Sequence, residues 1–233
     1  MKFTPLVFTI LLFNLLAFKN LSGHETWVSP VLLIQFGEGD KPHLDAYHPK
    51  KISLLSAVDI KGNELAVKPK HIGEASVIVE PQQNVTPSAI FYTIAYDDYI
   101  IKGEDWIKST PEEAADAEKS WSGSYTSTSI LKWNDTLVKA LQRSIEIVPL
   151  VNPNDLKKGD RLSLQIFRYG KPLPEADVYL GGDKKSKSDQ NGKFSVPIKG
   201  GHQVIIASVN EENNNKTTFF GATISFTHTS SEK

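Results

Sequence analysis

The chain has no cysteine among its 233 residues. This absence excludes disulfide bonds, thiolate metal ligands and a cysteine nucleophile, so the fold depends on packing alone. An excess of basic charge is also lacking, because 26 basic residues face 27 acidic ones, and this argues against a nucleic-acid-binding protein. No GxSxG elbow, HExxH helix or phosphate-binding glycine loop occurs. The sequence therefore offers no familiar hydrolase or nucleotide-binding motif.

Long apolar runs are absent except at the amino terminus. Lys2 precedes an apolar run from Pro5 to Phe18, and the segment ends on the small residue Gly23, which is the order of a secretory leader. The run is shorter than the roughly 20 residues that span a bilayer. We therefore predict that residues 1–23 are a cleaved signal peptide. The mature chain is then expected to be periplasmic or secreted, without a membrane span and with a net charge near −3.

Short β-type runs separated by turn residues fill most of the remaining sequence. The predicted strands cover residues 27–36, 52–60, 75–80, 89–96, 145–150, 161–168, 176–180, 187–189, 194–198, 204–209 and 217–226. Such spacing is typical of antiparallel sandwiches. We predict a mainly β fold with two sandwich-like domains, residues 24–143 and 144–233, of which the second is immunoglobulin- or transthyretin-like.

Local signals add detail to this pattern. A capping box at Thr110-Pro111-Glu112-Glu113 predicts a short helix over 111–120, in a helical linker region. The Ser/Thr/Gly-rich stretch 121–128 is predicted to be a loop, and 134–142 to form one or two helical turns. The Asn191-Gly192 pair predicts a two-residue hairpin turn, and residues 213–215 a hairpin tip.

Histidines carry the main candidate chemistry. If cleavage follows Gly23, His24 becomes the first residue, and its α-amine and imidazole can together chelate nickel, cobalt, copper or zinc. His43 and His48 lie on a predicted edge strand and are the candidate further ligands. Strand alternation places them on opposite faces, so one of the two is expected to join His24. The other histidines are predicted to be ordinary surface residues: His71, His202 and His228.

Aromatic residues interleaved with acids suggest a second kind of site. The acids are Asp97, Asp98, Glu104 and Asp105, and they flank Tyr96, Tyr99 and Trp106. This pattern fits a carbohydrate-binding groove or a carboxylate pair, but we favour a solvated loop. The tryptophans Trp27, Trp121 and Trp133 are predicted to be core or interface residues rather than a stacking platform.

The mature start resembles that of a known family. Residues 24–30, His-Glu-Thr-Trp-Val-Ser-Pro, resemble the opening Ala-His-x-x-Trp-x-x-Pro of a bacterial periplasmic family, a domain of unknown function (DUF4198) related to nickel and cobalt uptake components. Motifs at 145–150, 159–160, 170–173 and 188–193 resemble that family in the same order. The resemblance implies a soluble metal-binding component that assists a membrane transporter, and it supports His24, Trp27 and the pair Tyr47-His48. Gly23 and Tyr47 replace the Ala and Gly that family members usually have.

Three functions from different classes remain open. The first, which we favour, is a non-enzymatic nickel- or cobalt-binding protein with His24 as anchor and His48 or His43 as second ligand. The second is a binding module of two β domains that recognises a partner or glycan without metal. The third is a copper oxidase with a histidine brace, as in lytic polysaccharide monooxygenases, in which Tyr47 or Phe36 would be the axial aromatic residue.

Overall fold

The computed structural model of the chain describes residues 25–38, 41–43, 51–72, 76–181 and 183–229. These residues form one α-helix, α1 (Pro111–Asp116), and two short 3-10 helices, Asp135–Val138 and Pro153–Asp155. The described strands are, in chain order, β1 (Glu25–Val28), β2 (Leu33–Glu38), β3 (Lys41–His43), β4 (Ile52–Val58), β5 (Glu64–Leu65), β6 (Val67–Ile72), β7 (Ser76–Pro81), β8 (Ala89–Ala95), β9 (Asp98–Lys102), β10 (Asp105–Ser109), β11 (Ser120–Ile130), β12 (Glu146–Pro149), β13 (Arg161–Arg168), β14 (Lys171–Pro172), β15 (Asp177–Leu180), β16 (Asp183–Lys187), β17 (Lys193–Pro197), β18 (Gly201–Asn213) and β19 (Lys216–His228).

The strands pair into three sheets. A five-stranded sheet has the order β1-β2-β7-β6, with β3 also paired to β2. A ten-stranded sheet has the order β16-β15-β18-β19-β11-β8-β4-β5, and the hairpin of β9 and β10 joins it at β11. A four-stranded sheet contains β12, β13, β14 and β17. Among the described strand pairs, β11 with β19 is parallel and the others are antiparallel.

The ten-stranded sheet is the middle layer of the fold. Because side chains alternate along a strand, β8 contributes to two separate cores. Ile90 and Tyr92 pack with Val79 of the five-stranded sheet, whereas Phe91 packs in the cluster that contains Leu164 of the four-stranded sheet. The predicted mainly β, sandwich-like fold is confirmed.

The predicted helix start is confirmed, and the helix is shorter than predicted. Thr110 Oγ1 accepts a hydrogen bond from Glu113 N (3.2 Å), and the Glu113 carboxylate accepts one from Thr110 N (2.9 Å). Ala117 has an extended backbone, so α1 ends at Asp116 instead of residue 120. A 3-10 turn capped by the Asn134 side chain lies within the predicted helical stretch 134–142.

Two predictions about the polar stretches are wrong. Residues 121–128 are not a loop but lie within β11, in which Thr126, Ser127 and Ser129 are buried. The acidic and aromatic stretch 97–106 is not a solvated loop either, because it contributes to the hairpin of β9 and β10. Both stretches lack the apolar alternation from which strands are predicted.

Two predicted connections also differ. The first strand, predicted over 27–36, is a hairpin: Leu32 has a φ of 63° and donates its N–H to Ser29 O (2.8 Å), which separates β1 from β2. The turn at Asn191-Gly192 forms, yet it does not join a hairpin, because β16 pairs with β15 and β17 pairs with β13. That turn passes the chain from one sheet to another. The predicted hairpin tip at 213–215 is confirmed between β18 and β19.

The predicted division at residues 143/144 falls just before β12. Strands from both sides of it share the ten-stranded sheet, since β11 pairs with β19 from Ser120↔Lys216 to Ile130↔Phe226. The existence of two separate domains stays a prediction. No helix in the described part of the chain has the length and hydropathy required to cross a membrane.

Candidate functional site at the amino-terminal strand

Of the three predicted metal ligands, the described part of the chain includes the backbone of one, His43, near the start of β1. His24 and His48 lie outside the described residues, as does Tyr47. The backbone of His43 ends β3, and β1 begins at Glu25, the residue that follows His24. Within the described ranges, no group of three or more His, Asp or Glu side chains is arranged to hold a metal. The predicted metal site therefore stays a prediction.

β1 and β3 flank the same strand, β2. Phe36 of β2 pairs with Thr26 on one side and with His43 on the other. Neighbouring strands lie about 4.8 Å apart, so the backbones of Thr26 and His43 are separated by about 10 Å. Because β1 and β3 both run antiparallel to β2, they run parallel to each other, and Glu25 is level with Pro42. The start of β1 and the short strand β3 thus lie at one end of the five-stranded sheet.

The outer edge of β1 is held by hydroxyl groups. Alternation along an edge strand directs the backbone groups of Thr26 and Val28 away from β2. Thr223 Oγ1 donates to Thr26 O (2.9 Å), and Ser127 Oγ lies 3.3 Å from the same oxygen. Val28 N donates to Ser129 Oγ (2.8 Å). Side chains of the ten-stranded sheet thereby satisfy an edge that would otherwise need another strand. We call Ser127, Ser129 and Thr223 the hydroxyl seam.

The side chain of Thr26 adds a second attachment. Thr26 Oγ1 donates to Gln35 O (3.1 Å) and lies 2.7 Å from the hydroxyl oxygen of Tyr92. The Thr26 hydroxyl has one proton, so the Tyr92 hydroxyl is the donor between the two. Burial raises the pKa of Tyr92, although its hydroxyl neighbours lower it, and the phenol keeps the proton that it donates. Both the backbone and the side chain of Thr26 are therefore fixed.

Trp27 packs against His202, which is exposed, as predicted. Its ring lies 5.7 Å from that of His202, and Trp27 Nε1 donates to the Gln35 side chain (2.9 Å). Partial burial lowers the pKa of His202, which favours the neutral imidazole. His202 pairs with Thr227, toward the Val28 end of β1. It therefore lies away from the end of β1 at which His24 precedes the strand.

The remaining histidines have different surroundings. His71 is exposed on β6, as predicted. The prediction of a surface position is wrong for His228, which is buried with its Nε2 atom 2.9 Å from Leu156 O. The loop that follows the second 3-10 helix covers this end of β19. The apolar pattern of β19 does not reveal which loop will pack over the strand, so the burial of His228 could not be predicted from it.

An aromatic cluster lies beyond the amino-terminal end of β1. Tyr125, Ser127 and Ser129 alternate on one face of β11, and β1 runs along this face in the same direction as β11. The amino-terminal end of β1 therefore points toward Tyr125. The rings that pack with Tyr125, directly or through one another, are those of Tyr96, Tyr99, Trp106, Trp121 and Phe219.

The rings of this cluster are in contact with one another. The centroid distances are 5.9 Å for Tyr99–Trp106, 6.0 Å for Trp106–Trp121 and 6.1 Å for Tyr99–Trp121. Aromatic pairs at such distances are already packed together, so no sugar ring fits between them. Trp27 and Trp121 are core residues, as predicted, and so is Trp133, which packs partly buried against the main core and donates from Nε1 to Asp135 Oδ1 (3.1 Å).

Comparison with known proteins finds one family. The sequence model of the family described as "Domain of unknown function (DUF4198)" matches residues 21–212. That range runs from before β1 into β18 and includes Ser127 and Ser129 of the hydroxyl seam. Neither a curated protein nor a solved structure matches the chain.

Proposed function

The chain belongs to the DUF4198 family, and we propose that it is a periplasmic protein that binds nickel or cobalt through its amino-terminal segment and assists uptake of the metal. One observation carries the proposal: β1 begins directly after His24 and is bonded along both edges. A strand fixed in this way would give an amino-terminal ligand a fixed point of attachment. Such a fixed attachment reduces the entropy that is lost when a ligand is bound.

His24 would supply two nitrogen ligands, its α-amine and its imidazole. Reference α-amines have a pKa of about 7.7–8.0, so this group gives up its proton readily to a metal at neutral pH. The backbone of His43 lies about 10 Å from that of Thr26, by the strand spacing given above. That distance refers to Thr26, two residues after His24, and a shared ion would have to lie about 2 Å from each imidazole nitrogen. The further ligand in this proposal is His48 or His43.

Amine and imidazole ligands do not select nickel or cobalt by affinity alone. Copper binds such ligands more tightly than nickel, and nickel more tightly than cobalt. Selection would then come from metal availability and from a partner transporter in the membrane. The proposed role is accordingly to present the metal rather than to catalyse a reaction.

Calorimetry of the naturally processed protein tests the proposal. Mass spectrometry first establishes that the protein begins at His24. The protein is then titrated with nickel, cobalt, copper and zinc. We expect His24→Ala to weaken binding at least tenfold, or about 1.4 kcal/mol, and one of the variants His43→Ala and His48→Ala to weaken it as well. His71→Ala is the matched control, because His71 is exposed on β6 and should not affect binding. Equal affinity of the wild type and the His24→Ala variant for all four metals would contradict the proposal.

A one-residue extension separates the chelate from a simple histidine ligand. Retaining Gly23 before His24 moves the α-amine to another residue while every side chain stays in place. We expect at least a tenfold loss of nickel and copper affinity, about 1.4 kcal/mol, with an unchanged melting curve. If the extended protein binds both metals as well as the protein that begins at His24 does, the amino-terminal chelate does not exist.

A different experiment addresses the alternative function. Copper-dependent oxygen consumption with a polysaccharide would favour the histidine-brace oxidase over the metal-presenting protein.

A further inference from the structure

The strand β10 forms an exposed edge. A two-residue turn with Gly103 at a φ of 61° joins it to β9, and within the described ranges β9 is the strand with which it pairs. Trp106 and Ile107 are 39% and 45% exposed, and they point to opposite faces of the strand. An edge with two large exposed apolar residues is a template for another strand.

The register shows which backbone groups of β10 point away from β9, its partner among the described strands. Ile101 N donates to Lys119 O (2.9 Å), on the side of β9 that faces away from β10. The pair Ile101↔Trp106 is therefore not hydrogen-bonded, and by alternation neither is Tyr99↔Lys108. The N–H and C=O groups of Trp106 and Lys108 consequently point outward from the hairpin. Together they offer four hydrogen-bonding groups to an added strand.

Other sheet edges in the described part of the chain carry protective residues. The edge strand β6 contains Lys68, Pro69 and Lys70, and the edge strand β16 has the sequence DKKSK. Lysine and proline are the residues with which proteins discourage edge pairing. The single lysine of β10, Lys108, is engaged in an ion pair with Asp97 (3.1 Å). The edge of β10 is thus protected less than those of β6 and β16.

The charge around β10 indicates the kind of partner. Residues 97–119 contain eight acidic and three basic side chains. Burial raises the pKa of Asp98, and the neighbouring carboxylates of Asp97 and Glu112 raise it further. A basic segment would relieve this repulsion, whereas a second copy of the chain would bring two acidic surfaces together.

We propose that the outer edge of β10 binds an extended, basic segment of a partner protein by strand addition. The backbone groups of Trp106 and Lys108 pair with the segment, and the side chains of Trp106 and Ile107 contact it on the two faces. Main-chain pairing supplies affinity and the acidic surroundings select basic residues, as in other cases of strand addition. This interaction is independent of the proposed metal site.

The test uses the full mature protein and two synthetic nine-residue peptides, one alternating lysine with valine and the other alternating glutamate with valine. We expect the lysine peptide to bind, more weakly at high salt, and the glutamate peptide not to bind. Lys108→Pro removes an outward N–H without removing a bond to β9, and it should weaken binding at least tenfold. Lys108→Ala is the matched control: it loses the same side chain but keeps the N–H, so it should still bind.

Amide hydrogen exchange provides a second measurement that needs no variant. The lysine peptide should slow exchange at Trp106 and Lys108 and leave Ile107, which pairs with β9, unchanged. The proposal is overturned if the lysine peptide does not bind, if both peptides bind equally, or if Lys108→Pro and Lys108→Ala bind it alike. Sedimentation that shows self-association abolished by Lys108→Pro would identify a second copy as the occupant and would also overturn it.

Discussion

Replacement of Ser129 by alanine is expected to loosen the amino-terminal strand while the sheet beneath it stays intact. Ser129 Oγ accepts from Val28 N (2.8 Å) and lies 3.0 Å from Ser225 Oγ. Val28 is 2% exposed, so water does not replace the lost partner. A buried backbone group without a partner costs about 1–3 kcal/mol, and we expect the free energy of unfolding to fall by about 2 kcal/mol.

Ser225→Ala is the matched control. It removes the same contact between the two serines but leaves the Val28 N–H bonded to Ser129, so we expect a loss of about 1 kcal/mol or less. Denaturant unfolding measures both variants. Amide exchange locates the effect: a local loss of about 2 kcal/mol should speed exchange at Val28 roughly 30-fold in Ser129→Ala, and Ser225→Ala should leave it nearly unchanged. Equal losses in the two variants, or unchanged exchange at Val28, would refute the clamping role of the hydroxyl seam.

Two further substitutions test the packing and the electrostatics. In Gly221→Ala the new Cβ would collide with the ring of Tyr125. Thermal unfolding should therefore show a loss of stability of about 1–3 kcal/mol or more. The control is Gly200→Ala, whose new Cβ meets open space and should change stability by less than about 0.5 kcal/mol. Burial raises the pKa of Asp97, but hydrogen bonds from Lys51 and a second lysine outweigh it and leave the pKa lowered. Asp97→Asn should therefore lower the free energy of unfolding by about 0.5–1 kcal/mol at pH 7. Urea unfolding should show that the difference between the two proteins disappears as the pH falls below 3.8, because a carboxyl with a lowered folded-state pKa stabilises the fold only while it is ionised.

Apolar alternation was sufficient to predict many of the strands but not β11. Strand β13 was predicted over the residues it occupies because Leu162, Leu164 and Ile166 alternate toward one core. In β11 several of the buried positions carry hydroxyls with partners of their own: Thr126 Oγ1 donates to Ile145 O, while Ser127 and Ser129 hold β1. A buried polar residue costs little when it is hydrogen-bonded. The hydrogen-bond partner of such a residue, however, lies far away in the sequence and cannot be predicted from the neighbouring residues.

Turns and caps were predicted well because their hydrogen bonds close within a few residues. The capping box of α1 spans Thr110 to Glu113, and the turn near Asn191 is held by the Asp189 carboxylate, which accepts from Asn191 N and Lys193 N (2.8 Å each). The sequence did not reveal that the strands on either side of this turn enter different sheets. Turn chemistry sets the direction of the chain locally, whereas strand partners depend on packing over the whole fold.

The candidate site depends on contacts that are distant in sequence. The bond from Val28 to Ser129 joins residues 101 positions apart, and the bond from Thr223 to Thr26 joins residues 197 positions apart. Ser127 and Thr223 face β1 together only once β11 and β19 have paired, and parallel pairing needs a long connection between the strands. Such non-local contacts form late, after the loops between them have been closed. A peptide of residues 24–43 would contain two of the three candidate ligands but none of the hydroxyls that hold β1, so we expect it to bind nickel more weakly than the folded protein does, because it must be ordered on binding.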